Sequence, residues 1–372
     1  MKLLIVNSVC GVGSTGRIAS EIAREYESRG WSVRIAYGRS GYVPADMRRI
    51  AVRIGGALGV LIHVALSRCF DVHGTSLASA ISTWRFIRWA KKWNPDEIWL
   101  HNLHGYYINF PILFRWIKEN PGIKVRWTLH DCWSFTGHCA HFLSAGCNKW
   151  ETGCMSCPAK GSYPKSVVLS GSRRNWLAKQ ASFLGVRDME IITPSFWLES
   201  LVKRSFLREY PVVVRRNVVD EKVFCPGQSS IAVEHGLSGV RIVLGVAASW
   251  GEKKGLADFY KLRELLDDRF AIVLVGLTPA QAESVPDGIV PVGRTSDVTQ
   301  LVSWYRSASV LFNPTKEDTY PTVNLEAVAC GCPVVTYDVG GCRETVESDK
   351  DSVVLELNTP EAAARVIVSR FA

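Results

Sequence analysis

Two carboxylates eight residues apart, Asp318 and Glu326, carry the most pointed chemistry in this chain of 372 residues. They lie in the stretch from Asn313 to Val335, which reads strand, loop, helix, glycine stop, strand, so Asp318 falls in the loop and Glu326 inside the helix. A carboxylate accepts two hydroxyl donors at once, which suits a sugar or a ribose. Between them, the backbone N–H groups of Thr322, Val323 and Asn324 sit at a helix start, where a phosphate is favoured. Upstream, Lys253 and Lys254 follow the strand-like run that ends at Ala247. An ammonium there can neutralise a diphosphate leaving group, although two adjacent lysines equally fit a solvated turn.

The first half of the chain holds three further constellations. Gly11-Val-Gly13-Ser-Thr-Gly16 follows an apolar run and opens a helix, the arrangement in which glycines let backbone approach a phosphate. The second strand ends in Tyr37-Gly38-Arg39 rather than an acid, which argues against a nicotinamide dinucleotide and leaves a loop touching sugar or phosphate at Gly13, or a structural turn. His101, His104 and Asn109 lie in one segment, and His130 follows the apolar run from Lys124 to Leu129. A lone histidine after a strand is as readily a core residue as a reactive one. Cys139, Cys147, Cys154 and Cys157 end in a Cys-x2-Cys pair, which suits a structural zinc, reduced unligated thiols or disulfides.

The elements needed to position these groups alternate between short β-branched runs and helical periods. Runs at residues 2–7, 33–36, 97–100, 124–129, 190–193 and 212–215 predict a mostly parallel sheet, and a second series begins at 241–247 and continues at 271–275, 310–313 and 333–337. Two Rossmann-like α/β domains follow, over residues 1–224 and 225–357, with a terminal helix over 358–372 that could return to the first domain. In open parallel sheets ligands bind beyond the carboxyl ends of the strands, so the two domains are expected to face each other across a cleft.

At this point the residues resemble a known family. The segment from Asp318 to Glu326 is similar to the acidic-x7-Glu signature of the family 4 retaining glycosyltransferases, and Lys254 stands where that family has its diphosphate lysine. The stretches His101 to Asn109 and Thr128 to Cys139 resemble first-domain motifs of its bacterial exopolysaccharide, O-antigen and colanic-acid branch. The resemblance implies a GT-B fold, with an acceptor on the first domain and a nucleotide sugar on the second. It implies that Glu326 binds ribose hydroxyls, Asp318 the transferred sugar and Lys254 the diphosphate, with His130 near the anomeric centre and His101, His104 and Asn109 on the acceptor side. The family commonly has an arginine six residues before the lysine; Ala248 stands there, so Lys253 or Arg294 is expected to supply the missing charge.

The activity implied is transfer of a sugar, with retention, to a hydroxyl of a lipid-linked saccharide in surface-polysaccharide synthesis, without a catalytic metal. Alternatives are a nucleotide-sugar epimerase or hydrolase on the same scaffold, or a basic nucleic-acid-binding protein. The net charge of +9 is compatible with all of these, and no nucleic-acid partner is expected because the basic residues are scattered. Arg48, Arg49, Arg53 and Arg68 flank the apolar run 55–67, which suits a helix lying on an acidic inner-membrane surface or a buried helix with solvated ends. The opening residues are too short an apolar run for a signal peptide, and no run is long enough to span a bilayer, so the expected place is the cytoplasm or the cytoplasmic face of a membrane.

Overall fold

Leu3, Leu4, Ile5 and Val6 form an unbroken apolar run, as a strand covered on both faces requires, and all four are wholly buried. Alternation still sorts them: Leu3 and Ile5 join one core layer, Leu4 and Val6 the other. The computed structural model describes every residue of the chain except Ser40 and Ser296. By internal contacts it divides into two units, Met1–Arg215 and Arg216–Ala372.

The first unit is a seven-stranded parallel sheet of β1 (Lys2–Val6), β2 (Ser32–Tyr37), β3 (Ala51–Arg53), β4 (Glu97–Leu100), β5 (Lys124–Thr128), β6 (Met189–Thr193) and β7 (Val212–Val214). Their order across the sheet is β3-β2-β1-β4-β5-β6-β7. Its helices are α1 (Gly13–Ser28), α2 (Ala57–Phe70), α3 (Leu77–Trp93), α4 (Phe110–Lys118), α5 (Ser172–Phe183) and α6 (Phe196–Arg204). The second unit has six parallel strands, β8 (Arg241–Val246), β9 (Phe270–Val275), β10 (Ile289–Val292), β11 (Val310–Asn313), β12 (Val334–Tyr337) and β13 (Val353–Leu355), in the order β10-β9-β8-β11-β12-β13. Its helices are α7 (Ile231–Glu234), α8 (Leu256–Leu265), α9 (Pro279–Ala282), α10 (Val298–Ser307), α11 (Thr322–Ala329) and α12 (Pro360–Phe371).

Two features differ from the sequence reading. The division falls between Arg215 and Arg216 rather than after Phe224, because Val219, Val223 and Phe224 pack into the core of the second unit. The terminal helix, α12, lies against α8, β11 and β12 and contributes Ala363, Ala364 and Ile367 to that same unit's core.

Position in the sheet sets tolerance to substitution. Leu244 is wholly buried on central β8, so Leu244→Ala is expected to cost about 2–5 kcal/mol in urea unfolding. Pro291 is exposed on edge strand β10, which among the described residues pairs with β9 alone, so Pro291→Val should stay within about 0.5 kcal/mol of the parent.

Candidate functional site

Each sheet reverses its winding at one place, between β1 and β4 in the first unit and between β8 and β11 in the second. Connections leave those neighbouring strands in opposite directions, which opens a crevice at their carboxyl ends. Lys253 and Lys254 follow β8, and Asp318 follows β11, so the second reversal brings together groups more than sixty residues apart in sequence.

Four links join the two loops. Lys254 Nζ lies 2.7 Å from Asp318 Oδ2, and Lys253 Nζ lies 2.6 Å from Glu317 Oε2. The backbone N–H of Lys316 donates to the Lys253 carbonyl at 2.8 Å, and the Thr315 hydroxyl to the same carbonyl at 3.3 Å. Close approach depends on Gly255, whose φ of +68° disfavours a side chain and whose added Cβ would stand 2.5 Å from the Pro314 carbonyl oxygen. Burial alone would lower the pKa of Lys254, but the Asp318 charge and hydrogen bond outweigh it and leave it raised, so the ammonium stays charged. One of its three donors serves Asp318, and the side chain is 39% exposed, which leaves donors for an incoming anion. The other Asp318 oxygen accepts from the Tyr320 N–H at 3.2 Å.

Four residues beyond Asp318, α11 starts at Thr322 with Pro321 as its cap residue, no side-chain cap and no acid in its first turn. Its first N–H groups are therefore those of a helix end suited to a phosphate. Asn324 cannot offer its side chain: it accepts from Asn313 Nδ2 and donates to Thr345 Oγ1, both at 2.8 Å, and is wholly buried. Its N–H bonds to the Pro321 carbonyl at 3.3 Å, so Thr322 and Val323 carry the helix-end role. Glu326 is only 4% exposed, and its Oε2 accepts from the Tyr305 hydroxyl at 2.9 Å. Burial and the Glu326 carboxylate together drive the Tyr305 pKa well up, fixing the phenol as donor. Arg294 is exposed and follows edge strand β10, with β9 between that strand and β8.

In the first unit, the loops after β4 and β5 converge because the strands are neighbours. His101 Nδ1 and His130 Nε2 share a hydrogen bond of 2.9 Å, and the rings lie nearly parallel with centroids 5.2 Å apart. His104 is gripped on both nitrogens, by Asp131 Oδ2 at 2.7 Å and the Tyr163 hydroxyl at 3.0 Å. Gly13 is exposed at the start of α1, and a Cβ there would meet no atom within 4 Å among the described residues.

Residues 241–371 match the family model described as glycosyl transferases group 1. The second unit is a group 1 glycosyl transferase domain. The chain is 26% identical over 304 residues to WcaC of Escherichia coli K12, a glycosyl transferase assigned to colanic acid biosynthesis, covering 75% of this chain and 70% of that one. Among solved structures, sucrose-phosphate synthase of Thermosynechococcus elongatus superposes with a TM-score of 0.73 at 14% identity, over 99% of this chain and 89% of that one. HepE of Anabaena, solved in complex with UDP-glucose, gives 0.65 at 14% identity with the same coverage. These likenesses establish the fold as GT-B.

The geometry revises several expectations. Asn109 is the cap of α4, its Oδ1 accepting from Ile112 N at 3.2 Å and its Nδ2 donating to the Ser76 carbonyl, so it has a structural job rather than a place among ligands. His101 is 1% exposed and stands behind His130, which it can orient but not replace. Asp131 and Tyr163 were not singled out, yet both hold His104; Asp131 directly follows His130 and was within reach of a charge argument, whereas Tyr163 lies 59 residues from His104 in an irregular stretch. The four cysteines Cys139, Cys147, Cys154 and Cys157 line one pocket with His138, and all are free thiols. Cys139 donates to Cys157, which lowers the Cys157 pKa to about 6 with help from His138 and raises that of Cys139. Among the described residues, however, no three His, Cys, Asp or Glu side chains are grouped to hold a metal ion, so the zinc reading gains no support from this arrangement.

The buried histidines set a pH response. Burial lowers the pKa of His63 and of His130 to about 4, and that of His73 and His101 well below the ordinary value. Unfolded histidine binds its proton near pH 6.5. Between those values the unfolded chain holds more protons than the folded one, so stability falls as pH drops from about 6.5 to about 4. Calorimetry of the protein at pH 7, 5.5 and 4.5 should show a falling melting temperature, and a flat profile would contradict the assignment of neutral histidines.

Proposed function

We propose that this glycosyl transferase moves a sugar from a nucleoside-diphosphate donor to a hydroxyl of a lipid-linked saccharide, with retention at the anomeric carbon, in the synthesis of a surface polysaccharide. The observation that carries this reading is the uncapped N-terminus of α11, flanked by the charged Lys254–Asp318 pair and followed one turn on by the buried carboxylate of Glu326. The UDP-glucose bound by HepE supports a nucleotide-sugar donor, and the assignment of WcaC supports a polysaccharide product.

In this reading the diphosphate meets the N–H groups of Thr322 and Val323 and the spare donors of Lys254, so the charge that builds on the leaving oxygen is met by groups already in place. No metal ion is invoked for that step. Asp318 would accept from hydroxyls of the transferred sugar, and the buried carboxylate of Glu326 from the ribose. His130, braced by His101, would lie near the anomeric centre, and His104 toward the acceptor. The departing phosphate oxygen would take the acceptor's proton on the face it leaves, which gives retention.

Three measurements test this. In a thermal-shift and mass-spectrometric screen of UDP-, GDP- and ADP-sugars, Glu326→Ala should weaken binding of the preferred donor about 10- to 100-fold, since ribose hydroxyls lose a buried acceptor; unchanged binding would remove the ribose role. Lys254→Met should lower kcat more than it raises KM, because its work grows as the leaving charge develops. NMR of the first-formed product should show the donor's anomeric configuration, and an inverted product would overturn the stated mechanism.

A further inference from the structure

Helices α2 and α3 pack on each other with their polarity reversed. The residues buried in α2 are His63 and Ser67, whereas Leu58, Leu61, Ile62 and Ala65, spaced as one helical stripe, face solvent. In the first half of α3 the buried residues are Ser79 and Thr83, while Leu77, Ile81 and Trp84 form a second exposed stripe, Leu77 at 83%. The inward polar groups have internal work. His63 Nε2 accepts from Gly74 N at 3.2 Å, Thr83 Oγ1 donates to the Ser79 carbonyl at 2.7 Å and accepts from Asn109 N at 2.8 Å. Alongside the end of α2, Val167 N bonds to the Arg68 carbonyl and Leu169 N to the Cys69 carbonyl, which lays Val167, Val168 and Leu169 down as a third exposed apolar strip.

We propose that these three strips form one docking face for an anionic lipid bilayer. Charge selects the occupant. Residues 47–95 contain eight basic side chains and a single acid, Asp71, which is wholly buried against His138. Arg85 and Arg88 flank the α3 stripe, and the Arg88 guanidinium stands 4.9 Å from the Trp84 ring centroid, an aromatic and a cation placed together as at a headgroup boundary. A second copy of the chain is disfavoured, because a two-fold contact would set this basic face against itself. The helices lie on the surface rather than cross it: fourteen residues of α2 rise about 21 Å, short of a hydrocarbon core of about 30 Å, and among the described residues no helix is long and apolar enough to span. This inference deepens the lipid-linked acceptor reading by naming the surface that meets the lipid, and it fails separately from donor binding, which rests on residues of the second unit.

The test is flotation of the full chain with vesicles of phosphatidylglycerol and phosphatidylethanolamine against vesicles of phosphatidylcholine, at low and physiological salt. The chain should float with the anionic vesicles, and Leu61→Glu, Ile81→Glu and Trp84→Glu combined should reduce bound protein about tenfold or more while leaving the thermal shift by the nucleotide-sugar donor unchanged. Arg85→Glu with Arg88→Glu should weaken binding by about fivefold or more for each charge removed. Absence of flotation on anionic vesicles, equal flotation of the triple variant, or light scattering that shows a dimer converted to a monomer by the triple variant would overturn the proposal.

Discussion

The ion pair between Lys254 and Asp318 is the constraint on which the second unit's site depends. It joins the loop after β8 to the loop after β11 at the one place where the sheet changes its direction of winding. An ammonium drawn away from water would tend to lose its proton; the adjacent carboxylate reverses that tendency. The contact needs thin backbone around it. A Cβ on Gly340 would stand 1.8 Å from the Asp318 carbonyl oxygen, and the Gly341 N–H donates to that oxygen at 3.2 Å, so the glycine pair supports the loop from behind. Loop, ion pair and helix start are therefore tied to one another, and α11 inherits its aim from the loop.

Sequence patterning revealed the centre of each sheet and little of its edges. Central strands such as β1, β8 and β9 are buried on both faces and read as continuous apolar runs. The strands that escaped notice, β3, β10 and β13, all lie at a sheet edge, are three or four residues long, and in β10 include Pro291, which an interior strand excludes. The same physics explains what was legible in the site. Asp318, Glu326 and Lys254 stand out because charged groups near the ends of apolar strands are costly to place without purpose. Asn109 and Asn324 did not betray their structural roles, because an amide that caps a helix and an amide that binds a ligand are the same residue in the same kind of place. Only coordinates show which hydrogen bonds are already committed.

In the first unit the analogous constraint is a buried cation rather than a surface-facing pair. Lys179 is wholly buried, donates to the carbonyls of Trp133 at 2.5 Å and Thr136 at 2.9 Å, and lies 3.6 Å from the Trp133 ring centroid. Burial lowers its pKa to about 7, against the attraction of nearby cysteines and aspartates. This lysine ties down the turn that follows His130 and Asp131, so the histidines of the loops after β4 and β5 are held by a group on α5, far away in sequence. A histidine pair can keep a defined tautomer only when its rings cannot rotate, and Trp127 Nε1, donating to the His101 carbonyl at 3.0 Å, adds a further restraint from within the core.

The charge balance around α11 bears on how a diphosphate would be held in a chain with alanine at position 248. Lys253 is drawn to Glu317 and Lys254 to Asp318, so the two ammonium groups are already matched by two carboxylates, and an approaching anion would meet a site with little net side-chain charge. Ala248 is exposed at the end of β8 and adds no charge. What remains unbalanced is the helix itself, whose first turn carries no acid and no side-chain cap, a state it shares with α1, α2 and α5 but which in the second unit is found at the reversal of the sheet. A fixed dipole and oriented N–H groups need no reorganisation when charge develops on a leaving oxygen, whereas Lys254 has to turn its spare donors toward phosphate while it shares its charge with Asp318. In this protein the backbone of α11 is therefore the steadier electrostatic element, and Lys254 the adjustable one.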